Sequence, residues 1–117
     1  MATVKDCIFC RIVRGEIPSR KVYEDDDMLA FHDIAPRSPT HVLVVPKAHI
    51  ASAADLTEDD GPLLGRMFAT LAGIARDAGI AENGYRIVSN VGPWAGQSVD
   101  HLHLHLMGGR TFDWPPG

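Results

Sequence analysis

The stretch HLHLHL, residues 101–106, sets histidine and leucine in strict alternation. A period of two is the mark of a β-strand whose two faces meet different surroundings. Read as a strand over 101–107, it sends His101, His103 and His105 to one face and Leu102, Leu104 and Leu106 to the other. The leucines then pack beneath a helix, and the imidazoles form a row spaced about 6.6–6.8 Å apart. Each imidazole carries two nitrogens that need partners, and a row of them beside a core is costly to leave unbonded. The row therefore points to chemistry. Two chemistries fit: zinc chelation by H-x-H on a strand, or nucleophilic catalysis by one imidazole that the others orient. Just upstream, GPWAGQS (92–98) is glycine-rich and can turn backbone N–H groups toward an anion. Only Asp100 offers a nearby carboxylate, and alternation turns it away from the histidines.

The rest of the chain supplies a frame for such a strand. CIFCRIVRGEI (7–17) carries apolar residues at 8, 9, 12 and 13, which suits a short amphipathic helix ended near Gly15. Strands are expected over 21–24 and 28–33, around an acidic turn at 25–27. HVLVVP (41–46) reads as a buried strand, β-branched and closed by Pro46. Between Asp60 and Ala78, Leu63, Leu64, Met67, Phe68, Leu71, Ile74 and Ala75 recur at helical spacing. Asp59 or Asp60 is placed to cap this helix, and Gly79 to stop it. A further strand is expected over 84–91, and 108–117 forms an irregular tail. Helix, three strands, long helix, two strands is the order of a single α+β domain, residues 1–117, with a mostly antiparallel five-stranded sheet.

Bulk properties narrow the partners. With 117 residues, 45% of them hydrophobic, the chain can bury a sizeable core. A net charge of −4 argues against a nucleic-acid polymer as partner, yet a small phosphorylated ligand can still be held by backbone N–H groups. No apolar run approaches the ~20 residues of a membrane span, and MATVKDCIFC lacks the apolar core of a signal peptide, so a cytoplasmic location is expected. In a reducing compartment Cys7 and Cys10 are free thiols or metal ligands rather than a disulfide.

SVDHLHLHLMGGR resembles the signature of the histidine triad (HIT) family, His-φ-His-φ-His-φ-φ with φ apolar, which residues 101–107 match throughout. FHDIAPRSPTHVLVVPKAHI, NVGPWAGQSV and the WPPG ending extend the likeness over most of the chain and point to the Hint branch of nucleoside phosphoramidases. The resemblance implies a HIT-like fold whose sheets join across a homodimer. It implies hydrolysis of purine nucleoside 5′-phosphoramidates or acyl-nucleotides through a nucleotidyl intermediate on His103. His105, protonated, then bonds the phosphate, while His101 supports His103. Gln97, Ser98 and Asn90 match phosphate-contact positions, with the Ser98 hydroxyl directed at the leaving nitrogen. Asp33 matches the ribose ligand. Ile8, Phe9, Ile12, Phe31 and Ile34 match a purine slot, and Trp114 matches a tryptophan that reaches the partner's site. No cofactor is required for this chemistry. In bacterial relatives of this type, Cys-x-x-Cys with two histidines can hold a structural zinc, and Cys7, Cys10, His49 and His101 match; simple packing of the two cysteines on a short helix is the alternative. Two other functions stay open: a nucleotide-binding or scaffold module with vestigial hydrolysis, and a dinucleoside polyphosphate hydrolase.

Overall fold

The computed structural model describes residues 4–117. Helix α1 spans Ile8–Val13. Strands β1 (Lys21–Glu24), β2 (Met28–His32) and β3 (Thr40–Pro46) follow, then helix α2 (Gly61–Asp77), then strands β4 (Tyr85–Val88) and β5 (Leu104–Gly108). The five strands form one antiparallel sheet in the order β1-β2-β3-β5-β4. The expected α+β architecture is therefore present.

Strand alternation sorts the core into two layers. Met28, Ala30, Val42, Val44, Leu104 and Leu106 face α2 and pack on its Met67, Leu71, Ile74 and Ala75. Leu29, Phe31, Leu43 and Val45 face the other way and pack on Phe9 and Ile12 of α1. Leu104 and Leu106 of the HLHLHL stretch thus lie under the long helix, as alternation predicts, whereas Leu102 is buried ahead of the strand. In the β3–β5 register Leu43 stands opposite His105 and His41 opposite Met107, so His41 and His105 are diagonal neighbours on the α1 face. Close packing at the end of β5 requires Gly108, because a Cβ there would lie 2.5 Å from Ile80 Cδ1.

Several expected boundaries move. The last strand begins at Leu104, so His101 and His103 lie in the irregular segment that feeds it. The cause is a bond to a different partner: the Leu102 N–H donates to Ile50 O (2.6 Å), outside the sheet ladder. The strand expected over 84–91 shortens to Tyr85–Val88. Asp60 makes no side-chain cap on α2; its carboxylate reaches back to the Thr57 N–H (2.9 Å) and closes a short 3-10 turn before the helix.

Candidate active site

His103 is buried, and its Nδ1 lies 2.7 Å from the His101 carbonyl oxygen. A carbonyl only accepts, so Nδ1 carries the proton. The lone pair is then on Nε2, the nitrogen pointing away from the chain's own acceptor. The His103 ring sits between Phe9, edge-on at 5.1 Å, and the ring of His105 at 5.0 Å between centroids. Phe9 is buried beneath the histidines, against Phe31, His101 and His103. Its ring braces the site from inside.

A relay of fixed donors sets the state of His105. The backbone N–H of Arg37 donates to His41 Nδ1 (3.0 Å). His41 Nδ1 is therefore an acceptor, and its proton sits on Nε2. That proton is directed at His105 Nδ1, 2.9 Å away. His105 must accept there, which leaves its own proton on Nε2. Burial, then the neighbouring His103 and His41, hold His105 down to about 4; burial likewise lowers His41, although Asp33 opposes it. The protonated His105 expected from the sequence is thus replaced by a neutral ring that donates one Nε2–H. His41 is the residue that sequence reasoning missed as a site member. The available signal was a lone histidine opening an otherwise apolar strand, where burial obliges it to find partners.

Asp33 completes this edge of the site. One carboxylate oxygen accepts the Ala35 N–H (2.8 Å), and the other lies 3.4 Å from His41 Nε2. Asp33, His41 and His105 have the composition of a two-histidine, one-carboxylate metal site. The Arg37 N–H argues against that use, because it forces a proton onto the His41 nitrogen that would have to face the ion.

Asp33 also lines a cleft of about 380 Å³ together with Ile8, Ile12, Phe31 and Ile34. Four of the five residues expected to form a purine slot thus share one hollow beside the ribose-ligand candidate. The glycine-rich loop turns on Gly92 (φ 82°) and Gly96 (φ 81°), conformations that L side chains resist. Gln97 closes it: its side-chain oxygen accepts the Gly92 N–H (2.9 Å), and its amide nitrogen donates to Ala51 O (2.9 Å) and Val99 O (3.0 Å). Gln97 therefore shapes the loop through backbone groups. Ser98 is exposed at the loop's end and Asn90 is half-buried beyond β4. Trp114, in the tail, is exposed.

Cys7, Cys10, His49 and His101 converge behind His103. His101 Nδ1 lies 3.3 Å from Cys7 Sγ and 3.5 Å from Cys10 Sγ, and His49 Nδ1 lies 3.3 Å from Cys10 Sγ. A tetrahedral zinc with Zn–S near 2.3 Å and Zn–N near 2.0–2.1 Å places sulfur and nitrogen about 3.5 Å apart. The His101 Nε2–H donates to Pro46 O (2.8 Å), so Nδ1 presents its lone pair to the sulfurs, and a ligating histidine has this outer partner as a rule. Donor types, spacing and tautomer all fit zinc. Burial, the largest effect, holds His101 down to about 4 and pushes the Cys10 thiol up. The support His101 gives to His103 is a main-chain carbonyl, while its ring belongs to this second cluster.

Fold and site together define a histidine triad hydrolase. A family model described as HIT domain matches residues 14–112, and the chain belongs to that family. Among its relatives, the purine nucleoside phosphoramidase of Escherichia coli K12 is 46% identical over 106 residues, covering 91% of this chain and 89% of the relative. An uncharacterized HIT-like protein of Synechococcus elongatus is 51% identical over 113 residues, covering 97% and 98%. The crystal structure of a HIT family hydrolase from Legionella pneumophila Philadelphia 1 is 49% identical, with a TM-score of 0.94 over 96% of this chain and 100% of that one. No helix among the described residues is long and apolar enough to cross a membrane.

Proposed function

We propose that the protein hydrolyses purine nucleoside 5′-phosphoramidates or acyl-nucleotides through a nucleotidyl intermediate on His103. The observation that carries this reading is the 2.7 Å bond from His103 Nδ1 to the His101 carbonyl. It fixes the tautomer with a lone pair on Nε2, as attack on phosphorus demands. In the first step a bond forms from Nε2 to the α-phosphorus and the P–N bond to the leaving amine breaks. The Ser98 hydroxyl is suited to guide a proton to that amine. Water then attacks the same phosphorus, the nucleoside monophosphate leaves, and His103 recovers its lone pair. His105, neutral, offers its Nε2–H to a non-bridging oxygen, and the loop that Gln97 ties down supplies further N–H groups. Asn90 lies at the mouth of that loop. Asp33 accepts the ribose hydroxyls and the cleft beside it takes the base. The name of the Escherichia coli relative supports this substrate class.

Zinc, where Cys7, Cys10, His49 and His101 hold it, supplies structure rather than a reacting group. The free state of both cysteines suits a cytoplasmic setting. A homodimer is part of the proposal. β4 is the last strand of the sheet, so its outer edge is free to pair with a second copy. The exposed Trp114 then has a partner site to approach.

Rapid quench with adenosine 5′-phosphoramidate tests the chemistry. The expected product is a peptide adenylylated on His103. Activity that survives His103→Ala ends the reading. Nucleotide affinity without turnover on a panel of phosphoramidates would favour the vestigial binding module, and turnover confined to dinucleoside polyphosphates the third alternative.

A further inference from the structure

His101 belongs to two clusters at once. Its ring is clamped at both nitrogens, by the Pro46 carbonyl on Nε2 and by Cys7 and Cys10 on Nδ1. Its main-chain oxygen takes the Nδ1 proton of His103. The residue is fully buried, and the next one, Leu102, is tied through its N–H to Ile50, the neighbour of His49. Gln97 of the loop bonds to the residue after that, Ala51. The segment 49–51 therefore joins the cysteine–histidine cluster, the glycine-rich loop and the stretch that leads into β5. The chain at 101–103 lies outside the strand ladder, so the contacts that hold the His101 ring, together with the Leu102–Ile50 bond, set where the 101 carbonyl sits.

We propose that His101 is a positioning residue: occupancy of the Cys7–Cys10–His49–His101 cluster by zinc holds the 101 carbonyl where it keeps His103 in the Nδ1–H form. The ion's effect on the reacting nitrogen is then mechanical and travels through one residue. When the ion leaves, the hold of Cys7 and Cys10 on Nδ1 weakens, the 101–103 segment loosens, and His103 samples the form with its proton on Nε2, which cannot attack. The tautomer effect depends only on the two clusters; the consequence for turnover rests on the phosphoramidase reading.

The test uses the full chain labelled with ¹⁵N-histidine, prepared zinc-loaded and after chelation. Long-range ¹H–¹⁵N spectra report which ring nitrogen of His103 is protonated. The expected result is one equivalent of zinc bound, His103 wholly in the Nδ1–H form when loaded, and a mixture of both forms when stripped. In the same preparations kcat on adenosine 5′-phosphoramidate is expected to fall about 10- to 100-fold on stripping, the scale of a small misplacement of a reacting group, with KM within about twofold, since the base and ribose contacts lie elsewhere. Cys7→Ser, at a half-buried position, is expected to reproduce the stripped spectrum; His49→Asn provides a second variant should Cys7→Ser fail to fold. Failure to bind zinc, or a His103 spectrum unchanged when the zinc is removed, overturns the proposal. A tautomer shift on stripping, in a protein that turns over no phosphoramidate even when loaded, sinks the substrate assignment and leaves the positioning role standing.

Discussion

A single backbone N–H, that of Arg37, decides what His105 can do. It makes His41 a donor and His105 Nδ1 an acceptor, two rings away. His41→Phe is accordingly expected to lower turnover at least tenfold and to cost about 1–3 kcal/mol of stability, the usual loss when a buried donor is stranded; kinetics and urea unfolding check the two separately. His105 also gives stability a defined pH dependence. Its value is about 4 in the fold against 6.5 for an ordinary histidine. Between these values the unfolded chain binds a proton that the folded chain refuses, so stability falls as pH falls from about 6.5 toward 4 and levels below it. The slope attains at most about 1.4 kcal/mol per pH unit. Urea midpoints for chelated wild type and His105→Asn, compared across that range, are expected to show the steeper loss in the wild type.

At the scale of elements, β5 carries both halves of the design, with Leu104 and Leu106 under α2 and His105 on the opposite face. Leu106→Ala should cost about 2–5 kcal/mol, the range for a fully buried leucine, and thermal unfolding measures it. In the loop, Gly96→Ala meets no atom within 4 Å, so its cost, on the order of 1 kcal/mol, comes from the left-handed backbone alone. The alternation of histidine and leucine was readable in the sequence because it is a local pattern, and it correctly assigned Leu104 and Leu106 to the helix side. The point where the strand begins was not readable. It depends on the Leu102 N–H choosing Ile50, a contact across 52 positions that no periodicity reports. The same limit explains His41 and Phe9. Each is an ordinary strand or helix residue by pattern, and only the folded sheet brings the first to His105 and the second under His103. The cysteine–histidine set was legible through family likeness, whereas the double duty of His101 was not, since it divides one residue between ring and main chain.

At the scale of the molecule, the proposed dimer would use the β4 edge and the exposed Trp114. Sedimentation at micromolar concentration is expected to give a dimer, and a stable monomer would remove that part of the proposal. Trp114→Ala is expected to leave thermal stability within about 0.5 kcal/mol, as exposed positions do, while raising KM for substrates with bulky leaving groups. Beyond these measurable quantities, the acceptor that aims the nucleophile has an inherited consequence. It is a peptide oxygen, and no codon change can remove a peptide oxygen. Descendants of this chain can exchange side chains around residue 103 without deleting that acceptor; what such exchanges alter is how firmly the chain holds it, through the ring of His101 and the groups that clamp it.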